Sequence, residues 1–190
     1  MTKKQLEEIQ NSINTVNVST KLQNIKKEEY KNYKGLPSNH YEFLYLLLQT
    51  VKPKLVVELG TSTGLSMLYM IEGSPNSDFY TIDIDVNSGL YLKDVPATYI
   101  IGDSIECVSQ IPNDIDILFE DTSHEYDTIE RDFQTYFPKI KKGGIMLFDD
   151  INSNAYPGAK KWWKELDCPI KVELPKIHLR YGLGAIIKNY

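Results

Sequence analysis

From Leu55 onward, short runs of β-type apolar residues alternate with segments of helical periodicity. That alternation restricts the chain to a parallel sheet with helices on both faces. The runs 55–58, 79–84, 97–101, 115–120 and 144–149 read as strands, with helices over 64–72, 87–93, 104–110 and 125–137 between them. A further crossover helix, 157–166, carries the adjacent Trp162 and Trp163. Neighbouring residues diverge on a helix, so one indole is expected to pack on the sheet and the other to be partly exposed. The runs 170–174 and 183–188 are close enough in sequence to form a final antiparallel pair. The fold class is α/β, doubly wound.

Each acidic cluster ends or follows one of these strands. Glu58 and Gly60 end the first, Asp83 the second, Asp103 follows the third, Asp121 the fourth, and Asp149 and Asp150 end the fifth. Parallel strands bring these residues to one rim, where doubly wound sheets bind ligands. In the loop ELGTSTG, Gly60 lets the backbone approach a ligand and Gly64 lets the next helix start close to it. The spacing is not GxGxxG, which disfavours a dinucleotide; without a ligand the loop is a tight strand-to-helix turn. Asp83 can accept two hydrogen bonds from a ribose diol, with Asp85 one pleat further on as its alternative. Asp103 suits either an adenine amine or a helix N-cap.

A chain of 190 residues suffices for one such domain, with no room for a second. Net charge of −5 argues against nucleic acid. The densest basic stretch, Lys139, Lys141 and Lys142, reads as cations closing a helix before a Gly143-Gly144 turn. No apolar run approaches the ~20 residues of a membrane span, and the polar amino terminus carries no secretion signal, so the expected location is cytoplasmic. Cys107 and Cys168 have no metal-ligand spacing. Residues 1–37 read as an amphipathic helix (Leu6, Ile9, Ile13, Val16) and an irregular stretch, together a cap on a domain of residues 38–190. In the helix from His40 to Thr50, Asn39 and Glu42 form a candidate capping box after Pro37.

VVELGTSTG, YTIDID and IIGDSIE, in that order, resemble the successive motifs of class I S-adenosylmethionine-dependent methyltransferases. The resemblance covers about residues 38–188 and implies a Rossmann-like sheet of seven strands with the last antiparallel. It also implies a methyl-donor site built from Glu58, Gly60, Thr61, Ser62, Gly64, Asp83, Asp103, Ser104 and Asp121. FEDTSHEYDTIERDF, GGIMLFDDI and NAYPGAKKWW are similar to the metal-dependent O-methyltransferases that modify sugars and other small molecules. In those, three acids hold a divalent cation, which here maps onto Asp121, Asp149 and Asp150. Three converging carboxylates suit a hard cation such as Mg2+. His124, three residues after Asp121, is the candidate base, and histidine rather than lysine there points to a sugar or other aliphatic hydroxyl.

Thr122 departs from the glycine common in that family, and Asp150 stands where catechol-type relatives have asparagine. His124 could instead be a helix-start histidine satisfied by Glu125 or Asp127. His40 and His178 have no partner in sequence and read as incidental; Arg180, Tyr181 and Gly182 could border an acceptor pocket. The expected partner is a small-molecule hydroxyl acceptor, with a homo-oligomer possible and neither nucleic acid nor membrane involved. A non-catalytic S-adenosylmethionine-binding protein and a metal-dependent phosphohydrolase are the rival readings.

Overall fold

All seven apolar runs join one sheet in the computed structural model, which describes residues 1–31, 38–177 and 181–189. The strands are β1 (Leu55–Leu59), β2 (Asp78–Asp83), β3 (Thr98–Ile101), β4 (Ile115–Glu120), β5 (Ile140–Phe148), β6 (Lys171–Leu174) and β7 (Leu183–Ile187). Their order is β3-β2-β1-β4-β5-β7-β6. β1 to β5 are parallel, and β7 runs antiparallel to both β5 and β6, as expected. Every residue of β1 and β4 is buried, because a central parallel strand is covered on both faces.

One face packs on α1 (Lys3–Ser12), α2 (Thr20–Glu29), α3 (His40–Val51) and α4 (Leu65–Gly73), and the other on α5 (Tyr126–Tyr136) and α6 (Pro157–Glu165). The amino-terminal segment holds two helices and a short 3-10 turn over 13–15, not one helix and an irregular stretch. Leu6, Ile9, Ile13, Val18 and Leu22 are buried in the same core as β1 and β4, so this segment is packed into the sheet domain. Pro37, His178 and Arg180 lie outside the described residues.

Several local expectations give way to tertiary contacts. Residues 87–93 form turns, because Gly89 N–H and Tyr91 N–H donate to Ser62 and Thr63 carbonyls (2.6 and 2.9 Å) and not along a helix. Over 104–110 only a 3-10 turn forms, at 108–110. Lys141 and Lys142 belong to β5, and Lys141 pairs with Asp116 on β4. Asn39 donates from its amide to the Lys176 carbonyl (2.9 Å) and Glu42 pairs with Lys26 (2.7 Å), in place of a capping box. Trp162 and Trp163 are both buried, at 2% and 1% exposure. α6 sits in a groove with contact on two sides: Trp162 packs on Phe133 and Phe148, and Trp163 lies over Gly184, where a Cβ would stand 2.6 Å from the indole. Among the described residues no helix is long and apolar enough to cross a membrane.

Candidate active site

The parallel ladder continues past the strand ends and sets the rim. Gly60 N–H donates to Ile82, Gly102 N–H to Asp83, Asp121 N–H to Leu59 and Asp149 N–H to Glu120, at 2.9 to 3.1 Å. Each loop therefore starts at a fixed height beside its neighbour, which places Gly60, Asp83, Asp103 and Asp121 around one cavity of about 420 Å3. Ser62, Ile82, Ile84, Gly102, Ser104, Thr122 and Arg131 also line it. It opens beside β1 and β4, where the strand order reverses.

The glycine loop is shaped by close contacts within the protein. Gly60 has φ +91°, and a Cβ there would overlap the Asp121 carbonyl oxygen; at Gly64 it would meet Leu92. Asp83, not Asp85, faces the cavity, oriented by Ser62 N–H and Asp85 N–H, both at 2.8 Å. Asp103 lines the cavity and accepts from Ile105 N–H (2.8 Å) within a turn; no helix follows for it to cap. Ser104 lines the cavity too, while donating to Asp132 (2.5 Å).

Glu58 and Thr61 are placed differently from the expectation of direct donor contact. Glu58 is fully buried, accepting from Ser66 Oγ and from Thr81 Oγ1 (2.6 Å), and the Thr61 hydroxyl lies 2.6 Å from that of Thr81. Neither lines the cavity; they brace the loop from below. Burial pushes the Glu58 pKa up to about 7, against the lowering effect of the two hydroxyl donors. On the opposite face Glu120 is fully buried and pushed up to about 8 by burial, accepting from Thr122 Oγ1 (2.5 Å). Thr122, the departure from the family's glycine, thus serves as a hydroxyl donor to a buried acid.

His124 Nε2 stands 3.6 Å from both Asp121 Oδ1 and Asp150 Oδ2. Its backbone and that of Asp150 are both left-handed (φ +59° each), so two strained turns hold this pair together. The Tyr156 ring lies 4.4 Å from the imidazole and 6.5 Å from Tyr181, giving the site an aromatic wall. Asp149 and Asp150 are buried. Burial and then the charges of Asp149 and Asp150 hold the Asp121 pKa well above the ordinary carboxylate range.

His40 is not incidental: it is buried, its Nδ1 2.6 Å from Ser38 Oγ and 3.8 Å from Asp149 Oδ2. Tyr41 stacks edge-on to it at 4.0 Å, with its pKa raised by burial first and by Asp121 and Asp149 among the smaller causes. The sequence reading also passed over Asp132, buried on α5, whose pKa is pushed up to about 6 by burial. A usable signal was present: Ile129, Asp132 and Tyr136 share a helical stripe, and an acid within an apolar stripe needs partners.

Three carboxylates are the donor chemistry of a hard divalent cation. His124, however, fills the position between Asp121 and Asp150, and among the described residues no three His, Cys, Asp or Glu are gathered closely enough to hold a metal. In this conformation the residues do not fit a resident ion.

The profile of the family described as "Methyltransferase domain" matches residues 57–151, half of the chain, from the glycine loop to the end of the Asp149-Asp150 turn. The chain belongs to that methyltransferase family. The chain is 28% identical over 129 residues to an Acanthamoeba polyphaga mimivirus protein, covering 58% of each. It is 23% identical over 169 residues to the y4gI protein of Sinorhizobium fredii, covering 77% of this chain and 18% of that one. The match thus spans little more than half of the first relative and under a fifth of the second. In fold it is similar to the S-adenosylhomocysteine-bound Podospora anserina methyltransferase PaMTH1 (TM-score 0.72, 15% identity, 91% and 89% of the two chains). It is also similar to the O-methyltransferase TomG from Streptomyces achromogenes, involved in tomaymycin synthesis and solved with S-adenosylmethionine (TM-score 0.68, 13% identity, 100% of each chain).

Proposed function

We propose that this methyltransferase moves the S-methyl group of S-adenosylmethionine to a hydroxyl oxygen of a small molecule, a sugar hydroxyl among the candidates, with His124 as the base. The observation that carries the choice of oxygen is the His124 imidazole held between Asp121 and Asp150 on the rim of the Asp83–Asp103 cavity. Asp83 would hold the ribose and Asp103 with Ser104 the base of the donor, while Gly60 and Ser62 border its sulfonium end. The acceptor oxygen attacks the methyl carbon as the carbon–sulfur bond breaks, its electron pair staying on sulfur, and the hydroxyl proton passes to His124 Nε2. Asp121 and Asp150 stabilise the imidazolium so formed.

No step above runs through a cation: His124 would compete with one for the same oxygens of Asp121 and Asp150. The deciding experiment is a methyl-transfer screen against sugars, phenols and hydroxylated metabolites with wild type and His124→Ala. Transfer should fall by roughly 100-fold or more in the variant, with S-adenosylhomocysteine binding retained. Unchanged turnover in His124→Ala would remove the histidine from the chemistry.

A further inference from the structure

The loop 60–64 is held in place from outside. Gly60, Ser62 and Gly64 all have left-handed backbones (φ +91°, +46° and +86°), and the strand ladder reaches only as far as Gly60 N–H. One wall of support is the 89–92 turn, described above. The other comes from the amino-terminal segment, which the function so far has not used. Glu29, the last residue of α2, accepts from Thr63 Oγ1 through Oε1 (3.1 Å) and from the Tyr91 hydroxyl through Oε2 (2.8 Å). A single carboxylate therefore clasps the middle of the glycine loop and the turn that backs it.

α2 is a firm base for that clasp. Ser19 at its N-cap donates from N–H and Oγ to Glu72 on α4 (2.7 and 2.5 Å). Lys26 pairs with Glu42 on α3 (2.7 Å), Leu22 is buried, and Tyr30 OH donates to Tyr41 OH (3.3 Å) next to the acidic rim. We infer that Glu29 is a positioning residue for the methyl donor, making residues 19–31 part of the donor site. This rests on the donor reading above. Glu29 itself is exposed, so its effect is that of ordinary hydrogen bonds partly screened by water and not of a buried ion pair.

The test is calorimetric titration of S-adenosylhomocysteine into the full chain as wild type, Glu29→Ala, Glu29→Gln and Glu28→Ala, with turnover measured at saturating and limiting S-adenosylmethionine. The Glu28 side chain pairs with Lys31 (3.3 Å), while the Thr63 and Tyr91 hydrogen bonds go to Glu29, so Glu28 serves as the same-helix control. Glu29→Ala should weaken binding about fivefold, raising KM for the donor while kcat stays near wild type. Glu29→Gln should recover most of the affinity, since its amide oxygen still accepts from Thr63 and its NH2 can donate to the Tyr91 oxygen. Tyr91→Phe should cost less alone and nothing more in the Glu29→Ala background. Wild-type affinity in Glu29→Ala, equal losses in Glu29→Gln and Glu29→Ala, or an equal loss in Glu28→Ala each overturns the inference. Failure of wild type itself to bind would overturn the donor reading and this inference with it.

Discussion

Single residues in this protein act mainly through what surrounds them, and Glu58 shows it. Its carboxyl is raised from 4.5 to about 7 by burial, so between those values the folded chain binds a proton that the unfolded chain has lost. The stability this supplies is complete below the unfolded pKa and disappears as pH rises through about 7. Denaturant unfolding measured from pH 5 to 8 should show wild type losing stability relative to Glu58→Gln across that window. A constant difference between the two would show that Glu58 keeps an ordinary pKa. The sequence exposed Glu58 as an acid at a strand end but not its burial, because a five-residue apolar strand does not reveal which helix closes over its last side chain. His40 failed for the same reason: its partners Ser38 and Asp149 come from different elements, and only the second is remote in sequence.

At the level of elements, apolar periodicity gave every strand, and it overstated helices wherever a segment was claimed by a neighbour. The 87–93 turn is the plain case, its N–H groups drawn to the glycine loop. α6 is the opposite case, an amphipathic helix whose two adjacent indoles are both buried. Trp163 fills the space left by Gly184, donates from Nε1 to Glu173 (3.1 Å) and is 1% exposed. Trp163→Ala should therefore cost about 3–5 kcal/mol in denaturant unfolding, the range for a large buried aromatic. A loss below about 1 kcal/mol would mean that α6 is packed far more loosely than this.

Across the whole molecule, the sheet divides the proposed site into a donor half, reached from β1 to β3, and an acidic half at β4 and β5. The division predicts separable losses. Asp83→Ala should weaken S-adenosylhomocysteine binding in calorimetry, whereas Asp150→Asn, which removes one of the two charges beside His124 Nε2, should lower transfer and leave that affinity nearly intact. What the sequence determined by itself was the order of strands and acids, because side-chain period and turn chemistry are local, and a parallel sheet sends every strand's end to one rim. What only the tertiary structure decided was which of those acids face open space: Asp83 and Asp103 line the cavity, Glu58 and Glu120 are sealed beneath it, and Asp121 and Asp150 hold His124 between them. Burial and convergence are sums over elements distant in the chain, and no local pattern contains them.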